Sequence, residues 1–371
     1  MAILLATLVA SSAIAQGYPD PPQPPPPPTP PPPSPTGPFA MTPLVSNGAI
    51  AATVTDPNLV NPWGVALAPG LPIWVTNNLT QTSTAYDPAG TLQITVSLPS
   101  TARGPASPTG LVFNGSTDFV VSSAMASAPA QFIMVGESGT LLAWSPDIDP
   151  ANALVVHDDA AGGAVYKGLA IATNGSANLL FAADFHNGKI DVFDGQFQKI
   201  AAPGGFADPQ LPADYAPFGV QAVTLGGVPM IVVAYAQHTA DNLDEEVKGA
   251  GLGIVNVFDP NGSLLRRLVS PGAQANAPWG IALAPASFGP LGNLLLIGNF
   301  GDGVINAFDP NSGAFVDTIK DASGQPIVND GLWGLAFAVD ANNQPIPPLY
   351  FAAGIADETA GVFGRIDPQS Q

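Results

Sequence analysis

Cysteine is absent from the 371 residues, and only three histidines and nine lysines plus arginines stand against 28 acids. Without cysteine there is no disulfide scaffold, thiolate metal site, cysteine nucleophile or cysteine-attached haem. Three histidines leave little material for an imidazole-based zinc or copper centre. The formal charge of −19 argues against nucleic acid or anionic membrane as a partner, because both call for a basic surface. Charge of either sign is sparse, at 10% of residues, while 46% are hydrophobic, a balance that fits a folded domain and not a disordered polyelectrolyte. The apolar run at the N-terminus, MAILLATLVASSAIA, is too short to cross a bilayer as a helix. Its small residues Ala13-Ile14-Ala15 fit a signal-peptidase site, so residues 1–15 are expected to be a signal peptide and the mature chain to start at Gln16. The expectation is a secreted protein, placed in the extracellular space, at the cell surface or in the periplasm, with no transmembrane anchor.

Proline and glycine are abundant, at 42 and 40 residues. Between Pro21 and Pro35 twelve of fifteen residues are proline. Proline fixes φ and removes the backbone donor, which forbids helix and sheet and leaves polyproline II. At about 3.1 Å per residue this stretch reaches roughly 45 Å, so residues 16–38 are expected to form a stiff stalk or linker. Only 14 prolines precede Ala40, and the other 28 lie in residues 39–371 together with every acid but Asp20 and all the basic residues.

From Pro38 onward the chain repeats itself. An apolar strand opening on glycine recurs as NPWGVALAP, SPTGLVFNG, YKGLAIATNG, APFGVQAVTLGG, APWGIALAP and GLWGLAFAVD, anchored at Gly64, Gly110, Gly168, Gly219, Gly280 and Gly334. The separations of 46, 58, 51, 61 and 54 residues suit propeller blades with differing loops better than a solenoid. A second apolar run follows each anchor: IWVTNN, DFVVSS, LLFAADF, MIVVAYA, LLLIGNF and LYFAAGI. Such runs, bounded by Gly, Asn or Asp, read as strands covered on both faces. A third run ends in turn chemistry such as FDPNG, where Asp caps, Pro presets φ and Gly takes φ > 0. A fourth, more polar run suits the outer edge of a sheet. The fold expected is all-β: a six-bladed propeller of four-stranded antiparallel blades. The last blade lacks a fourth strand after Ile366, and FAMTPLVSN at residues 39–47 is available to complete it and close the ring.

The blade pattern resembles the NHL-repeat propellers, best in APWGIALAP with LLLIGNFGDGVINAFDP and in YKGLAIATNG with LLFAADFHNGKIDVFDG. The strings NPWGVALAP, VYKGLA, AADFHNGKIDVFD and GNFGDGVINAFDP are similar to a family of secreted bacterial propellers. Lactonases of the gluconolactonase type are also six-bladed, and that likeness implies one divalent cation held at the channel mouth by carboxylate and Asn oxygens.

Against that frame Asn77, Asp184 and Asn299 occupy aligned ends of second strands in blades one, three and five, with Ser122, Tyr235 and Gly354 near the same point in the others. Three such oxygens converging on the axis would suit Ca²⁺, the one cofactor the composition leaves open. The other reading is structural, each side chain satisfying donors of the following turn. His186 and His238 follow the second strands of blades three and four, and with Asp184 they are candidate acid and base groups. No Gly-x-Ser-x-Gly elbow occurs. An aromatic precedes the anchor glycine at Trp63, Phe218, Trp279 and Trp333, with Tyr166 and Lys167 at that place in blade three. These aromatics form either a collar for sugars or polymers, or wedges within the packing. The acidic insertion HTADNLDEEVKGAG carries Asp241, Asp244, Glu245 and Glu246, which are either calcium ligands or a solvated loop, and their spacing departs from the EF-hand.

These features point first to an exported binding or assembly module on a proline-rich stalk. Its expected partner is a protein, a polysaccharide or a small molecule at the propeller face, or a second copy of the chain in a homo-oligomer. The alternatives are a cation-dependent lactonase or other hydrolase at the axial mouth, and a structural subunit of a surface layer or filament.

Overall fold

The computed structural model describes residues 38–272 and 274–369. The expected signal peptide and nearly all of the stalk lie outside them. Six antiparallel sheets, each with four strands stacked from the axis outward and in sequence order in the first five, form six blades. Blade one runs Pro62–Ala66, Ile73–Asn77, Thr82–Tyr86 and Leu92–Ser97. The innermost strands of the next five blades are Pro108–Phe113, Tyr166–Thr173, Tyr215–Leu225, Pro278–Leu283 and Leu332–Val339. No helix among the described residues is long and apolar enough to cross a membrane.

The repeated glycine is explained by how closely neighbouring blades approach at the axis. A Cβ on Gly219 would stand 2.1 Å from the Trp279 carbonyl oxygen of the next blade, and one on Gly334 would stand 2.4 Å from that of Trp63. The other four anchors meet the following blade in the same way, so the contact runs round the whole ring and returns from blade six to blade one. Glycine is required because nothing larger fits between the two backbones.

The ring closes as the sequence predicts. Phe39–Ser46 pairs antiparallel with Val362–Pro368 over Phe39↔Pro368 to Ser46↔Val362 and becomes the fourth strand of blade six. A short parallel strand, Val54–Thr55, then covers its outer edge. One element departs from the reading above. DFVVSS is not the second strand of blade two: Val120–Ser122 pairs with Ser127–Pro129 in a separate hairpin, and Phe132–Gly136 takes the place beside Pro108–Phe113. All five residues of Phe132–Gly136 are buried, whereas Val120 is 49% exposed, so core packing selects the later run.

Candidate functional site

The axial end of each blade is set by strand periodicity. The residue two before the anchor glycine pairs with the axial end of the second strand, which is that strand's last residue in every blade but the fourth, where the strand runs on to Thr239: Pro62↔Asn77, Pro108↔Gly136, Tyr166↔Asp184, Pro217↔Tyr235, Pro278↔Asn299 and Leu332↔Ala353. Consecutive side chains on a strand face opposite ways. The positions that gather at the axis are therefore those just before each glycine and those that follow these partners on each second-strand segment. Trp63, Phe218, Trp279 and Trp333 come from the first set and Phe185, Ala236 and Phe300 from the second, and they form one buried cluster. Trp333 stacks between Trp63, at 3.4 Å between ring centroids, and Phe300, at 3.9 Å. Trp279 meets both Trp63 and Trp333 edge-on, at 5.8 and 5.9 Å. The aromatics are an axial plug in this structure, not an exposed collar: Trp63 and Trp333 are 2% and 0% exposed.

Asn77, Asp184 and Asn299 lie one residue out of this register, and each bonds locally. Asp184 Oδ1 accepts from the Val165 and Asn187 amides and its Oδ2 from the Asn187 side chain. Burial raises its pKa, opposed by these donors. Asn77 donates to Thr82 and Thr84, and Asn299 donates to the Gln274 carbonyl. They sit in alternate blades around the plug, and only Asp184 satisfies backbone donors as the structural reading describes, because the Asn77 and Asn299 Oδ1 atoms are buried without a hydrogen-bond partner.

His186 Nδ1 lies 2.5 Å from Asp244 Oδ1, and His238 is half-buried with its Nδ1 donating to the Thr239 carbonyl. Asp184, engaged by its own turn, joins neither, so the expected acid–base set is not assembled. The acidic insertion is an ordered hairpin: Asn242–Glu246 pairs with the end of Val228–Thr239, and Asp241 stands exposed in the turn. Asp244 meets His186, while Glu245 and Glu246 face Lys167. Among the described residues no three His, Cys, Asp or Glu side chains stand together as a metal site.

Lys167 is the residue whose importance sequence reasoning missed. It is 1% exposed and donates to Glu137 Oε1 at 2.6 Å, with Glu245 Oε2 3.9 Å away. Its ammonium lies 5.3 Å from the Trp63 ring and 5.9 Å from that of Phe185. Burial alone would lower its pKa, but Glu137, Glu246 and Glu245 outweigh burial and raise it. Glu137 also accepts from Asn78 Nδ2, and Glu358 accepts from Asn61 Nδ2. Asn61 in turn accepts from the Trp333 indole N–H at 3.1 Å. Lys248 places its ammonium 4.0 Å over Phe300. Two lysines and four glutamates thus cap the aromatic plug. One signal was legible, since Lys167 fills a place where four other blades carry Trp or Phe.

On the other side of the plug the innermost strands flare into a cavity of about 550 Å³. All six blades line it, through residues such as Leu67, Phe113, Ile171, Val223, Leu283 and Phe337. Its lining carries no charged side chain, and its polar groups include Gln221, Thr224, Asn343 and Gln344. Two strand pairs longer than the rest, ending at Leu225↔Val228 and Val339↔Pro345, raise its rim. Toward the plug it narrows to a void of about 30 Å³ at the level of Gly64, Gly334 and Trp279.

No family model matches the chain. It is 33% identical over 330 residues to "Uncharacterized protein R648" of Acanthamoeba polyphaga mimivirus, covering 87% of this chain and 78% of that protein. The chain belongs to the family of that protein. "Uncharacterized protein L690" of the same virus is also 33% identical over 330 residues, covering 87% of this chain and 84% of its own length. Among solved structures a glucose dehydrogenase superposes with a TM-score of 0.50 at 12% identity, over 90% of this chain and all of the other, a likeness of fold alone.

Proposed function

We propose that this protein is an exported binding module that seats an uncharged, largely apolar ligand in the axial funnel. The observation that carries this reading is the funnel itself. It has a volume of about 550 Å³, is walled by all six blades and lined without charge, and is blind at the aromatic plug. Ligand pockets in proteins run from about 300 to 1,000 Å³ and are mostly apolar with a few orienting polar groups, a description this funnel meets. The apolar lining favours a ligand through burial of its surface, while Gln221 toward the narrow end and Thr224, Asn343 and Gln344 farther out offer neutral hydrogen bonds. The leader-like residues 1–15 and the proline-rich stretch support export and display away from an attachment point.

A neutral naphthyl probe, N-phenyl-1-naphthylamine, tests the reading. Saturable fluorescence enhancement at one probe per chain is expected, with energy transfer from Trp279, which lines the narrow end. Gln221→Trp, at an exposed position on the wall, is expected to fill the space and abolish the signal without unfolding the protein. Linear, non-saturating partition of the probe, or equal binding by Gln221→Trp, removes the funnel as the binding site.

A further inference from the structure

The opposite end of the axis carries a second feature that the funnel does not use. Glu137, Glu245, Glu246 and Glu358 face only Lys167 and Lys248, so with every group ionised the mouth keeps two uncompensated negative charges. Three of the four already have partners: Glu137 holds Lys167 and Asn78, Glu358 holds Asn61, and Glu245 lies at the solvent edge near Lys167. Glu246 faces Lys167 and a backbone amide, but its Oε2 is enclosed and meets no hydrogen-bond donor. A buried carboxylate oxygen left without a donor costs on the order of several kcal/mol, so it marks a place where a donor is missing. The loop that brings Glu358 to the mouth is held at a similar cost, because Ala356, Asp357 and Glu358 all have positive φ, between 50° and 65°.

We propose that this mouth is a binding site for a primary ammonium group, with Glu246 as its carboxylate anchor. The protein displays the required chemistry twice with its own side chains. Lys167 is held between a glutamate and the rings of Trp63 and Phe185, and Lys248 lies over Phe300. A third ammonium takes the enclosed Glu246 oxygen that lacks a donor and offsets the excess charge, with the aromatic plug as floor. Calcium fits less well, since it takes six to eight oxygens and the Glu137 and Glu358 carboxylates are already engaged by side-chain donors. The ammonium belongs either to a free alkylamine or to a lysine side chain of a partner protein.

The pH dependence follows from the groups that surround Glu246. Burial raises its pKa to about 7, opposed by Lys167 and reinforced by Glu245 and Glu358. His238 pairs across from it on the hairpin, and Glu137, Lys248 and the His186–Asp244 pair complete the charged surroundings. An arriving ammonium stabilises the ionised carboxylate and expels the proton that Glu246 carries near neutrality.

Calorimetric titration of the full chain with n-butylammonium, and separately with the blocked peptide acetyl-Gly-Lys-Gly-amide, tests this at low salt and pH 7. Repeating each run in buffers of different ionisation enthalpy counts released protons. Expected are one saturable site, release of a fraction of a proton, tighter binding at pH 8 than at pH 6, and at least tenfold weaker binding by Glu246→Gln. Preference for the amine assigns the site to free alkylamines, and preference for the peptide assigns it to a protein lysine. Glu245→Gln, at an exposed position, is expected to weaken binding less and serves if Glu246→Gln fails to fold. No saturation with either probe overturns the proposal, as does equal affinity in both variants or saturation by CaCl₂ alone. Probe binding in the funnel is independent of all these outcomes.

Discussion

Trp63 and Trp333, 270 residues apart in sequence, stack face to face at 3.4 Å between centroids with planes 16° apart. They belong to blades one and six, the two blades that closure of the ring brings together. On the outside, blade six is completed by Phe39–Ser46 against Val362–Pro368, and the chain runs on from that strand into blade one. The plug is therefore both the floor of the charged mouth and a fastening of the circle.

Trp333→Ala is expected to lower unfolding stability by about 3–5 kcal/mol, since the ring is fully buried between Trp63 and Phe300. It also strands the Asn61 oxygen that accepts from the indole N–H. Denaturant unfolding measures the loss, and the near-ultraviolet circular dichroism of the Trp63–Trp333 pair should vanish with it. A change within 1 kcal/mol would show that the plug contributes little to closure.

Gly219→Ala is expected to be more damaging than an alanine at an ordinary glycine, because the new methyl would lie 2.1 Å from the Trp279 carbonyl oxygen. Gly175→Ala provides the contrast: it has open space but a φ of 89°, so strain alone should cost about 1 kcal/mol. Comparison of the two melting temperatures isolates close approach from backbone strain, and equal shifts would refute the packing account.

Lys167→Met removes the cation that faces Glu137, Glu245 and Glu246 inside the mouth. Loss of one partner of a buried pair typically costs about 3–5 kcal/mol, because the remaining charge is left uncompensated. The double variant Lys167→Met with Glu137→Gln should recover part of that loss. A double variant no better than the single one would mean that Glu137 is indifferent to Lys167.

The raised pKa of Glu246 has a defined sign in stability. A carboxyl whose folded pKa, about 7, exceeds its ordinary value of 4.5 favours the native state while both states are protonated, and that contribution is lost as pH rises through 4.5 to 7. Unfolding free energy measured between pH 4.5 and 8 should therefore decline more for the native protein than for Glu246→Gln. Parallel curves would place the carboxyl in solvent.

A chain beginning at Gly48 lacks the closing strand and leaves Val362–Pro368 as an open edge. Its thermal transition should move down by many degrees and broaden, with association through the exposed edge visible in light scattering. An unchanged transition would show that the aromatic plug and the glycine contacts hold the ring without it.

The candidate residues divide along the same physical line. Asn77, Asp184 and Asn299 were legible as an aligned set because alignment is a property of the repeat. Whether position 77 or 78 faces the axis depends on the direction of the pleat, and the residues just past the second strands, Glu137, Phe185 and Phe300 among them, are the ones that arrive there. In blade two DFVVSS and QFIMVG are both apolar runs in one interval, and local propensity does not rank them. Burial of Phe132–Gly136 against its neighbours does.

The sequence by itself determined the number of blades and the glycine at every blade's inner contact, because a local pattern repeats six times, and the closing strand, because the sixth repeat lacks its fourth run. The tertiary structure alone decided that four aromatics at one repeated register plug the axis, that Lys167 is buried against Glu137, and that an acidic hairpin faces it. Those relationships join residues from different blades, and only ring closure sets which blades and side chains meet.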